Sequence, residues 1–199
     1  FGISWEPVED RGWYDNLAEV RFFENFPDNA RKQKIYYTRF TGGVSWEDSQ
    51  IGLPCFKKYW EEDLSDKHDI NGDHLFPVYR YAEVLLIYAE AQNRVNGGPD
   101  QSCLDAVNAI RARANGGVTD DAPTGLSEVE FDQLVFDEKG WEFVAEQKRW
   151  HDLVRKELVE EYNADNPFFT KTLTKDNYIF PIPAQEREIN PGLIQNPGY

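Results

Sequence analysis

Three carboxylates at four-residue spacing, Glu138, Glu142 and Glu146, are the residues of this chain whose type and arrangement come nearest to a reaction. On a helix that spacing puts them on one face, where Glu142 is a candidate for one half of a glycosidase acid and base pair. The same three are also ready partners for cations, and Arg80, Arg111, Arg149 and Arg155 are the candidates; this pairing is the favoured reading. Asp69-Ile70-Asn71-Gly72-Asp73 opens like a calcium loop, but His74 stands where the turn glycine belongs and Arg80 where a bidentate glutamate belongs. A solvated acidic loop is the reading that fits. His68, His74 and His151 have no triad context, and Ser102 and Ser127 fit better as helix caps than as nucleophiles. No catalytic residue, metal or cofactor is expected.

Binding chemistry is carried by aromatic residues in polar surroundings. Trp5, Trp13, Trp46 and Trp60 occupy the irregular first third of the chain, none falls between Glu61 and Gly140, and Trp141 and Trp150 sit among helical residues. The last two read as core. Trp13-Tyr14-Asp15-Asn16 and Trp46-Glu47-Asp48 combine an indole, which can stack on the C–H face of a sugar ring, with carboxylates and amides that can bond its hydroxyls. Trp13, Tyr14, Asp15 and Trp46 are therefore the candidate ligand-binding residues, although large aromatics also fill loop-rich cores.

The elements that position these residues follow from periodicity and from glycine and proline. Residues 1–77 are loop-rich, with room for short strands or helical turns. Tyr81, Val84, Leu85, Tyr88 and Ala89 predict a helix from about Val78 to Val95, stopped by Asn96-Gly97-Gly98-Pro99. A second helix is predicted from a cap at Ser102 through Leu104, Val107, Ile110 and Ala114 to Gly116-Gly117. Together they form an antiparallel hairpin of tetratricopeptide type, too small to be stable alone. Ser127 and Glu130 predict a capping box that starts a third helix running to Ala145, with a kink near Gln147 before a further turn carrying Trp150, Leu153 and Val154. Leu85, Tyr88, Val107, Ile110, Leu134 and Trp141 are the expected interior. Helical hairpins fill residues 78–160, and the prolines of residues 161–199 predict an extended tail that wraps the body, with a turn at Ala184–Glu188.

The 199 residues suit one mainly α domain, and the absence of methionine marks a mature product or a piece of something longer. A formal net charge of -15 repels nucleic acid and anionic lipid surfaces. No apolar run approaches the roughly 20 residues of a membrane span. Cys55 and Cys103 read as two buried thiols, with a disulfide left open for an oxidising compartment.

The ordered segments RYAEVLLIYAEAQNRV from Arg80, EKGWEFVAEQKRWHDLVR from Glu138 and PIPAQEREINPGLIQNPGY ending at Tyr199 resemble the C-terminal half of the SusD/RagB family. Family members usually have glycine where this chain has Gln147. The resemblance implies an outer-membrane, surface-exposed lipoprotein, anchored by a lipid-modified cysteine upstream of Phe1. It also implies a protein that binds oligosaccharide or polysaccharide without cleaving it and delivers it to a SusC-like TonB-dependent transporter. A helical-repeat scaffold for protein partners is the alternative.

Overall fold

The computed structural model describes residues 18–39, 43–49, 52–58, 77–164 and 172–199. The chain divides into two compact units, Phe1–Glu146 and Gln147–Tyr199.

In the first unit, two short helices and a ribbon precede the long helices. Helix α1, Val20–Glu24, begins where the Glu19 carboxylate accepts from the Phe22 amide at 2.7 Å. Helix α2, Ala30–Ile35, begins where the Asn29 side chain accepts from the Lys32 amide at 3.1 Å. Each cap satisfies an amide that has no partner within its helix. Strand β1, Tyr36–Tyr37, pairs antiparallel with β2, Cys55–Phe56, in the register Tyr36 to Phe56 and Tyr37 to Cys55. Around them Ala18, Phe23, Phe26, Ile35, Tyr36 and Val144 form a buried aromatic cluster.

The long helices are α3, Tyr81–Asn96, α4, Gln101–Ala114, and α5, Glu128–Glu142, and α3 packs against both others. Gly97 ends α3 at a φ of 68°, a left-handed cap that costs glycine nothing. The Ser127 hydroxyl accepts from the Glu130 amide at 3.3 Å while the Glu130 carboxylate accepts from the Ser127 amide at 2.8 Å, which completes the expected box. Leu86, Ala89, Cys103, Val107, Ile110, Phe131 and Val135 form the core between these helices. The mainly α hairpin architecture is thus present.

The structure departs from three local expectations, at the inner face of α3, the cap of α4 and the end of α5. The inward face of α3 is Ala82, Leu86, Ala89 and Asn93, whereas Tyr81, Val84 and Tyr88 are exposed at 74%, 56% and 44%. Apolar residues occupy more than one face of this helix, and Ala82 and Ala89 take the inner one because small side chains let α4 and α5 approach closely. The Tyr88 hydroxyl lies 2.8 Å from that of Ser102. Of the other interior residues named above, Val107 and Ile110 are fully buried, and Leu85, Leu134 and Trp141 are partly buried against the clusters. The cap of α4 is Asp100 and not Ser102: its carboxylate accepts from the Cys103 amide at 3.0 Å and from the Ser102 hydroxyl at 2.6 Å. These bonds hold the Asp100 carboxyl down at about 2.

Helix α5 ends at Glu142, earlier than Ala145, because Ala145 and Gln147 both take left-handed φ angles, 61° and 60°. In the second unit, α6, Arg149–Arg155, and α7, Val159–Asn163, pack together. A 3-10 turn at Lys175–Tyr178 is held to α7 by the Tyr178 hydroxyl, which donates to Glu160 at 2.5 Å. The turn expected at Ala184–Glu188 is the six-residue helix α8, Ala184–Ile189. Gln195 clamps the tail, donating to the Ile182 carbonyl at 3.0 Å and accepting from its amide at 2.8 Å. Cys55 and Cys103 are both buried free thiols. No helix among the described residues is long and apolar enough to cross a membrane.

Candidate functional site

The C-terminal turn of α5 carries Glu138 and Glu142, and Glu146, expected on the same helix face, lies in the turn beyond the helix end; all three meet cations from distant parts of the first unit. Arg31, on α2, donates to Glu138 at 2.6 Å and Glu142 at 3.0 Å. Arg80, the residue before α3, donates from Nη1 to Glu142 at 2.7 Å and grips Glu146 with two bonds, from Nε at 2.9 Å and Nη2 at 2.8 Å. Arg113 from α4 also pairs with Glu142, and Arg111 lies 3.7 Å from Glu138. Lys58 pairs with Glu146 at 2.5 Å. All three glutamates are buried.

These cations do a second task at the helix end. The last carbonyls of a helix have no partner within it and carry its negative dipole end. Lys58 donates to the Glu142 and Val144 carbonyls at 2.9 and 3.0 Å, and Arg80 Nη2 donates to the Glu142 carbonyl at 3.0 Å. The Arg80 guanidinium also lies over the Phe143 ring, 4.9 Å from its centre. The network therefore terminates α5 and fixes the chain beyond it.

Its electrostatics run against acid and base chemistry. Burial alone would raise the Glu142 carboxyl, but the bonds and charges of Arg80 and Arg113 outweigh burial and hold it below the usual range. A general acid needs the opposite shift. Glu138 is raised, by burial first, with Arg31 opposing, yet at 1% exposure it cannot meet a substrate. Burial also pushes Lys58 down, against the pull of Glu146.

Of the cations named from sequence, Arg80 and Arg111 join this network. In the second unit Arg155 pairs with Asp152 at 3.0 Å, and Arg149 lies over the Tyr162 ring at 5.2 Å. Arg31, Lys58 and Arg113 were not foreseen. They lie 29 to 111 positions from their partners, and a separation of that size leaves no local pattern. The only signal was a surplus of carboxylates on one helix face.

The network borders a cavity of about 580 Å³, also lined by Ala30, Lys34, Ile35, Pro77, Ala114 and Gly116. Trp46 is half-buried, edge-on to Phe23 at 5.5 Å in the aromatic cluster, next to exposed Glu47 and Asp48. Trp13, Tyr14 and Asp15 lie outside the described residues, as do the Asp69–Asp73 loop, His68 and His74. His151 is exposed. Among the described residues no cluster of His, Cys, Asp and Glu could hold a metal ion.

Comparison with known proteins places this geometry. A family model described as the SusD family matches residues 12–199. SusD-like protein P25 of Formosa agariphila is 30% identical over 92% of this chain and 35% of its own length, so the chain spans about a third of that relative. Surface glycan-binding protein A of Bacteroides uniformis superposes with a TM-score of 0.67 at 26% identity, over 89% of this chain and 40% of that one. Surface glycan-binding protein A of Bacteroides thetaiotaomicron, solved in complex with laminarihexaose, shares the fold with a TM-score of 0.71 at 21% identity, over 98% and 46%.

Proposed function

We propose that this chain, which belongs to the SusD family, is part of a protein that binds oligosaccharide or polysaccharide at the outer-membrane surface without cleaving it and passes it to a SusC-type TonB-dependent transporter. The observation that carries the reading is the likeness, at 26% identity, to a surface glycan-binding protein. The site is compatible with it, since the best-placed carboxylates are held by cations within the fold. Membrane attachment through an upstream lipid anchor, with exposure at the cell surface, belongs to the same proposal.

Trp46 with Glu47 and Asp48 is one binding element within the described residues, and Trp13, Tyr14 and Asp15 are the others proposed. Affinity electrophoresis through gels containing different polysaccharides tests the reading. Retardation by at least one polysaccharide, reduced in Trp13→Ala or Trp46→Ala proteins of unchanged circular dichroism, is the expected result. Migration unaffected by every polysaccharide would contradict it.

One observation favours the second reading, a helical scaffold for protein partners. Tyr81, Val84, Tyr88 and Val95 form an exposed stripe along α3, the spacing by which helices pack in repeat proteins. Capture of a protein partner that is lost in Tyr81→Ser/Val84→Ser, with no polysaccharide retardation, would favour this reading over the first.

A further inference from the structure

Among the described residues, the cavity beside the glutamate network is lined by more cations than carboxylates. Among the described residues five cations line it, Arg31, Lys34, Lys58, Arg80 and Arg113, against Glu142 and Glu146. Even with Glu138 counted behind Arg31, five cations face three carboxylates among the described residues, an excess of two positive charges there in a chain whose formal net charge is -15.

Two of the cations retain donor capacity. Arg31 is only 9% exposed, and its Nε has no hydrogen-bond partner among the described residues. Lys34 is exposed and has no carboxylate partner among the described residues, while the other four cations are each tied to a glutamate. Buried donors left without acceptors are rare in folded proteins. An oxyanion is the ligand that answers both the charge and the open donors, and arginine with lysine is the pair that recognises it.

The volume, about 580 Å³, falls within the roughly 300–1,000 Å³ of small-molecule sites. Ile35, Pro77 and Ala114 supply apolar wall, suited to the C–H surface of a sugar ring. We propose that this cavity binds an acidic saccharide through its anionic substituent, the carboxylate of a uronic acid or a sulfate ester. The inference rests on the glycan-binding reading and adds the substrate class. No aromatic ring lines the cavity among the described residues, so the proposed affinity comes from charge and falls with salt, independently of Trp46.

The test is calorimetric titration of the 199-residue chain with an oligogalacturonate, a sulfated oligosaccharide, a neutral oligosaccharide of equal length, and inorganic sulfate. Each is titrated at low and high salt, with Lys34→Gln and Lys34→Glu alongside. Lys34 lies outside the ion-pair network, so both variants should keep the parent's circular dichroism. The expected result is binding of the uronate or the sulfated ligand, weakened about tenfold by Lys34→Glu, less by Lys34→Gln, and weakened by salt. Whichever acidic ligand binds identifies the anionic group. Equal, Lys34-independent affinity for acidic and neutral ligands overturns this inference and leaves the glycan-binding reading intact. Lys34-dependent binding of sulfate without any saccharide overturns the saccharide assignment, and failure to bind any of the anions overturns the site.

Discussion

Helix α5 is two different structures laid end to end. Its first half packs on α3 and places Phe131, Leu134 and Val135 in the core shared with α3 and α4, and its second half presents Glu138 and Glu142 to cations. The apolar half is held by burial, which is non-directional and tolerates exchange of similar side chains. In the charged half, each carboxylate pays for its burial only through named partners at fixed distances, so loss of one member strands the others. One helix thus contains both a tolerant region and an intolerant one, and the intolerant one lies beside the cavity.

The largest expected effect lies in the charged half. Glu142→Ala removes the acceptor shared by Arg31, Arg80 and Arg113 and should cost about 3–5 kcal/mol in urea denaturation. Because its folded carboxyl lies below the ordinary value, protons bind the unfolded chain preferentially as pH drops. Glu142's contribution is therefore complete above the unfolded value, about 4.3, and is lost as pH falls through the lowered folded value. Denaturation of the parent and Glu142→Gln at stepped pH should show the gap between them closing over that window. Glu138 is raised in the fold, so its burial penalty is relieved on acidification; a Glu138→Gln gap that closed in the same window would break the distinction.

In the core that the apolar half joins, Leu86→Ala on α3 should cost about 3 kcal/mol, independent of pH between 5 and 8. Tyr88→Ala, on the exposed face of the same helix, should move stability much less, and an equal loss would restore the inward stripe expected from sequence. Smaller still is the effect of Gln147→Gly, which relieves a left-handed non-glycine residue and should stabilise by about 0.5–1 kcal/mol. At the start of α4, Asp100→Ala should lower the melting midpoint slightly and Ser102→Ala by less; the reverse order would reinstate Ser102 as the cap.

The three long helices were legible from apolar recurrence and glycine stops, and Ser127 with Glu130 marked a boundary to the residue. The inner face of α3 was not legible. Tyrosines and valines filled the competing stripe, while the true one contains Glu90 and Asn93, polar residues that are buried. The end of α5 was partly legible, since the resemblance expects glycine at position 147, where the backbone is left-handed. Glu138, Glu142 and Glu146 announced a charged face, but Arg31 and Lys58 could be placed on it only by the tertiary fold. Trp46 carried a clear compositional signal, and the structure assigns part of its ring to Phe23.

The central proposal is that the chain binds glycan while its glutamates hold the fold together. A single calorimetric titration of the chain with a polysaccharide that retards it in gels tests this directly, because binding gives heat that saturates and turnover gives heat that continues. The account predicts saturation and a return to baseline after each injection. Sustained heat flow with release of reducing ends, abolished in a folded Glu142→Gln variant, would contradict it.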